Sequence, residues 1–117
     1  MLIFPLKKEW YEKIKSGEKT IEYREVKPYW KIRLWHEGCL PGSELTAYDY
    51  EEIRGCAWPV FCYLQLGYDP KTRLHAFIKK VEIVNGKDTD LHIDKPVYAI
   101  HLANIKEIYT KNIREVE

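Results

Sequence analysis

The chain has 117 residues, of which 45% are hydrophobic and 32% charged, and a formal net charge of +1. That length favours one domain with a hydrophobic core that needs no staples. The composition is that of an ordinary globular protein and excludes a disordered chain, and the near-neutral charge excludes a global field that would steer the protein to nucleic acid.

Nine tyrosines and four tryptophans are many for this length. Each ring needs a buried place or a ligand to stack on. The charge is unevenly spread: residues 7–33 carry nine Lys/Arg against five Asp/Glu, while residues 34–53 carry five acids and no Lys or Arg. This asymmetry predicts one charged face, with solvated helix surface as the plainer alternative. Three cysteines, Cys39, Cys56 and Cys62, show no paired spacing. With no signal-peptide pattern, they predict reduced thiols and a cytoplasmic protein. No apolar run approaches the roughly 18 residues of a membrane-spanning helix.

In chain order, Leu2-Ile3-Phe4 predicts a short buried strand that ends at Pro5. Residues 6–16 switch to helical spacing, with Leu6, Trp10 and Ile14 four apart on one stripe. Lys13 and Lys15 fall where a helix dipole favours cations, and Gly17 stands where a left-handed residue ends the helix. Residues 19–25 predict a strand, with Ile21 and Tyr23 on one side and Thr20, Glu22 and Arg24 on the other. Pro28 ends it. Residues 29–36 predict a short helix whose Trp30, Leu34 and Trp35 cover the core.

Residues 43–57 fit a helix or a strand equally well, and 37–57 as a whole predicts an acidic surface insertion. Val60 to Leu66 is a strong strand signal, turned by Gly67-Tyr68-Asp69-Pro70. Leu74 to Val84 predicts a longer strand, with Ala76, Ile78 and Lys80 alternating against Phe77, Lys79 and Val81. Asn85-Gly86 is a turn in a polar stretch reaching residue 95. Val97 to Leu102 predicts a last strand, continued by Ile105 to Tyr109 after a bulge at Ala103-Asn104. Residues 110–117 predict a frayed tail. The pattern is α+β: a small, mostly antiparallel β-barrel of five or six strands with one to three flanking helices.

The chemistry concentrates in Gly17-x-Lys19-x-x-Glu22-x-Arg24. Glu22 and Arg24 lie two apart on a strand and can pair, leaving Arg24 with N–H donors for a phosphate or a base edge. Lys19 beside a carboxylate could also serve as a base or nucleophile if desolvated. The plain alternative is a surface ion pair. Tyr29, Trp30 and Trp35 interleave with Lys27, Lys31 and Arg33, as base stacking and phosphate binding require, or as an amphipathic helix would. Tyr68 and Arg73 flank a hairpin turn and are candidates for the same cleft. His36 and Cys39 with Cys56 and Cys62 lack zinc-site spacing, so no metal is expected. No cofactor motif is present.

These residues resemble the ASCH domain family. The resemblance rests on Gly17, Lys19, Glu22 and Arg24 after a first helix. It continues through Val26-Lys27-Pro28-Tyr29-Trp30, Arg33-Leu34, Leu66-Gly67-Tyr68, Arg73 and the strand Val97 to Leu102. It covers most of the chain except residues 37–57. It implies a PUA-like β-barrel with a cleft between barrel and helices, and a role in binding RNA or a nucleotide-like molecule. The binding residues it suggests are Lys19, Glu22, Arg24, Tyr29, Trp30, Arg33, Tyr68 and Arg73. The alternative it allows is an enzyme, an acetylcytidine amidohydrolase or a ribonuclease, using Lys19 and Glu22. The amidohydrolase group carries a Thr nucleophile where this chain has Glu22. A third expectation is a protein-interaction domain that uses the acidic residues 37–52.

Overall fold

The computed structural model describes residues 2–39 and 60–109. The chain runs β1 (Leu2–Leu6), α1 (Lys8–Ser16), β2 (Ile21–Glu25), α2 (Pro28–His36), β3 (Phe61–Leu66), β4 (Thr72–Asn85), a 3₁₀ turn (Gly86–Asp88) and β5 (Pro96–Tyr109). The expectations for 43–57 and 110–117 lie outside the described residues.

The five strands of the described residues form one mixed sheet, ordered β1-β3-β4-β5-β2 and curled into a half-barrel. β1 runs parallel to β3, and the other three pairs are antiparallel. Together with the two helices of the described residues this is an α+β architecture, as expected.

Three local rules set the elements. Gly17 ends α1 in the left-handed region (φ 86°), and its N–H donates to Ile14 O at 3.1 Å. Glycine adopts that conformation without a Cβ clash. Pro28 occupies the first turn of α2, where its missing N–H leaves no bond unmade. Asn104 also has positive φ (52°), and the β4–β5 register shifts beside it, so the bulge at Ala103-Asn104 is real.

The structure corrects four expectations. β1 does not stop at Pro5 but continues to Leu6, because it is an edge strand. Pro5 pairs with Gln65 there, and its carbonyl points away from β3 to accept a bond from Arg24. Its missing N–H therefore faces no ladder partner. Leu6 consequently belongs to β1, and α1 buries Tyr11 and Ile14 instead. Trp35 is 46% exposed and does not cover the core. In β4 a second register shift lies between Ile78 and Lys80. It moves Val81 to the buried face of Leu74, Ala76 and Ile78 and leaves Lys79 and Lys80 both outward.

The core gathers Leu2, Phe4 and Leu6 of β1, Tyr11 and Ile14 of α1, and Trp30 and Leu34 of α2 against the concave face of β3, β4 and β5. Cys62 is fully buried in it, and burial, above all, pushes its thiol pKa up to about 12. Reactivity needs the thiolate. Iodoacetamide at pH 8 should therefore leave Cys62 unmodified in the native protein and alkylate it in urea. Rapid native labelling of Cys62, read by mass spectrometry, would contradict this burial.

Candidate functional site

β2 brings polar residues to a core-facing surface. Glu22 lies opposite Ile100 and Arg24 opposite Tyr98, on the side of β5 that faces the core. Glu22 is only 5% exposed. A buried carboxylate needs charge partners and hydrogen bonds. Arg24 supplies both: its Nε and Nη2 donate to Glu22 Oε2 at 3.1 and 2.7 Å. Arg24 Nη2 also donates to Pro5 O at 2.8 Å. Among the described residues β1 and β2 are the two edges of the half-barrel, so Arg24 clasps the seam between them. The guanidinium carbon lies 5.0 Å from the Trp30 ring centre and 5.3 Å from that of Phe4. Those two rings stack on each other at 5.0 Å. Nη1 of Arg24 makes no hydrogen bond among the described residues.

Lys19 completes the cluster. It follows the helix stop, where its backbone N–H donates to Lys13 O at 3.0 Å. Its Nζ donates to Asp90 Oδ2 and lies 3.5 Å from Glu22 Oε1. The Tyr23 and Trp10 rings lie 5.0 and 5.5 Å from it. Burial, and then the charge of Asp90, hold the Tyr23 phenol pKa above its ordinary value. Asp90 comes from the loop between the 3₁₀ turn and β5. That loop is pinned by Thr89, whose Oγ1 donates to Gly86 O at 2.8 Å and accepts from Leu91 N at 3.2 Å.

A cavity of about 440 Å³ opens at this seam. Its walls include Trp10 of α1, Trp30 of α2, Glu22 to Glu25 of β2, and Asp90 and Leu91 of the loop. Lys7 and Lys27 line it as well, with Lys27 paired to Glu25 at 2.8 Å. Such a volume suits a small organic ligand. Counting Lys19, four cations meet three carboxylates here. The site offers aromatic walls, a guanidinium whose Nη1 has no partner among the described residues, and the partly exposed carboxylates of Glu25 and Asp90.

The sequence candidates thus divide. Lys19, Glu22, Arg24 and Trp30 converge. Tyr29 is 53% exposed beside Trp30, with the Arg33 guanidinium 3.4 Å over its ring, and neither lines this cavity. Arg33 lines a separate recess with Leu2, Ile32, His36 and Glu37. Tyr68 is 92% exposed in the β3–β4 turn. Arg73 sits on the outer face of the sheet, its Nε donating to Gln65 Oε1 at 2.9 Å. Asp90, Lys7 and Trp10 were not among the candidates. Asp90 lies 71 residues from Lys19 in a plain polar stretch, and no local pattern marks such a pair. Among the described residues, no group of three His, Cys, Asp or Glu could hold a metal ion.

The sequence matches no family model and no curated protein. The structure does find a likeness. It is similar to the crystal structure of ZmASCH from Zymomonas mobilis, solved as a serine-to-alanine mutant. The TM-score is 0.50 at 13% identity, covering 98% of this chain and 78% of that one. The chain has an ASCH-like fold. At that identity the likeness carries the architecture and no more. The ASCH-like scaffold here places Gly17 at the helix stop and Lys19, Glu22 and Arg24 at the seam. No helix of the described residues is long and apolar enough to cross a membrane.

Proposed function

We propose that this ASCH-like protein binds RNA or a nucleotide-like molecule in the seam cavity. The observation that carries the reading is the Arg24 guanidinium. It is fixed by Glu22 and Pro5 and set against Trp30, with Nη1 left for a ligand. A planar base fits between aromatic walls, and anionic groups suit Lys7 and Lys27 at the rim. Glu22 acts by orienting Arg24. The reduced thiol of Cys62 supports a cytoplasmic setting as part of the same proposal.

The hydrolytic alternative has less support. Lys19 Nζ is held by Asp90 and Glu22, and Glu22 by Arg24, so both proposed catalytic groups are already engaged. Thr20 is exposed and outside the cavity wall. Product formation from acetylcytidine or an RNA oligomer would revive that alternative.

Trp10 and Trp30 in the wall make occupancy readable by fluorescence. Titration with nucleoside monophosphates and a single-stranded RNA oligomer should give saturable quenching. Lys7→Ala and Lys27→Ala, which leave the Arg24 clasp intact, should each weaken it by about 1 kcal/mol, roughly five-fold, as expected of exposed charges. No saturable quenching by any of these probes would overturn the reading.

A further inference from the structure

The outer face of the sheet carries a second feature that the seam cavity does not use. On β3, Phe61 and Tyr63 alternate with the buried Cys62 and Leu64. On β4, His75 and Phe77 alternate with the buried Leu74, Ala76 and Ile78. All four rings therefore project to the convex side, as cross-strand pairs Phe61–Phe77 and Tyr63–His75. They touch: His75 lies 4.9 Å from Phe61, 5.6 Å from Tyr63 and 5.3 Å from Phe77, between ring centres. Phe61 is 41% exposed. The solvent face of an antiparallel pair is ordinarily polar. The same face farther along β4 obeys that rule, where Glu82 bonds Lys80 and His101.

Two cations border the rings. The Arg73 guanidinium stands 5.3 Å over Tyr63, held there by the bond from its Nε to Gln65, and both its Nη groups lack protein partners among the described residues. Lys106 lies opposite His75 on β5, exposed and in no ion pair among the described residues. Rings with unneutralised cations beside them, on a pleated surface, complement bases with phosphates beside them. Arg73, a residue that the cavity leaves unused, thereby gains a role.

We infer that the convex face of β3 and β4 is a second, separate platform for single-stranded nucleic acid, with bases stacking on the Phe61–Tyr63–His75–Phe77 cluster and phosphates meeting Arg73 and Lys106. It rests on the cluster geometry and on cations unpaired among the described residues, and it does not need the seam cavity to be occupied. A protein partner is the competing occupant of such a face, but two cations left unneutralised among the described residues, beside a cluster of edge-on and tilted rings, favour the nucleic acid.

The test uses a fluorescein-labelled oligouridylate of about eight nucleotides, a length within the usual site sizes. Anisotropy should show salt-dependent binding. Phe61→Ala should weaken it about ten-fold, in line with the loss of one stacked base. The double variant Arg73→Glu/Lys106→Glu, which leaves the rings in place, should weaken it at least as much and flatten the salt dependence. Quenching by mononucleotides in the seam should be unchanged in both, which separates this platform from the cavity. Oligouridylate affinity and salt slope unchanged in both variants would overturn the platform, even if the cavity still binds its ligand. So would self-association of wild type in sedimentation that Phe61→Ala abolishes, since the face would then be an interface between copies.

Discussion

Arg24→Ala is expected to destabilise the protein by about 2–4 kcal/mol in urea denaturation. Removing one partner of a buried pair typically costs about 3–5 kcal/mol, because the other charge stays buried without compensation. Here the variant deletes both donors to Glu22 Oε2 and the donor to Pro5 O. Two facts lower the expectation. Lys19 Nζ remains 3.5 Å from Glu22, and the Arg24 side chain is 19% exposed. Glu22→Gln should be milder, since an amide oxygen still accepts from Arg24, and the guanidinium it leaves without a counter-ion is the more exposed of the two side chains. The double variant Arg24→Ala/Glu22→Gln should recover part of the loss, giving a coupling of about 1–2 kcal/mol. A loss below about 0.5 kcal/mol for Arg24→Ala would mean that water, and not Arg24, solvates Glu22. Because this variant perturbs the fold, loss of ligand binding in it is weaker evidence than loss in the rim lysine variants.

Gly86→Ala is expected to cost about 2–3 kcal/mol, at the upper end of overpacking effects. Its backbone conformation is ordinary; the constraint is space. A Cβ there would meet Val97 Cγ1 at 2.7 Å and Ile93 O at 2.8 Å. The valine methyl can rotate away, but the carbonyl is backbone and cannot. Gly86 N also donates to Lys95 O at 2.7 Å, so the strand end must move with it. The loop that carries Asp90 starts there. The variant should therefore loosen the Asp90–Lys19 contact, visible as faster amide exchange in residues 89–93. A Gly86→Ala protein of wild-type stability and exchange would show that the loop relaxes without strain.

Much of the fold is legible locally. Gly17 as a helix stop, Pro28 as a helix start, and the bulge at Ala103-Asn104 follow from backbone sterics that each residue carries wherever it stands. The strands Val60 to Leu66 and Leu74 to Val84 follow from β-branched and aromatic runs. The misread points all depend on partners. Pro5 inside β1 is allowed only because β1 is an edge, and an edge is a property of strand order. Val81 faces the core only because the shift between Ile78 and Lys80 turns the strand over.

The same division holds at the site. Spacing of two on a strand put Glu22 and Arg24 on one side, and they do pair. By itself the sequence determined that Gly17 to Arg24 joins a helix stop to a charged strand, because periodicity and backbone conformation are short-range properties. Only the tertiary structure decided that this charged side faces the core, that Arg24 closes the seam onto Pro5, that Asp90 reaches Lys19, and that Arg73 lies on the opposite face from Arg24. Those facts depend on which strands become edges and how the sheet curls. That is settled by burying Leu2, Phe4, Ile14 and Leu34 together, a choice made across the whole chain and not within any stretch of it.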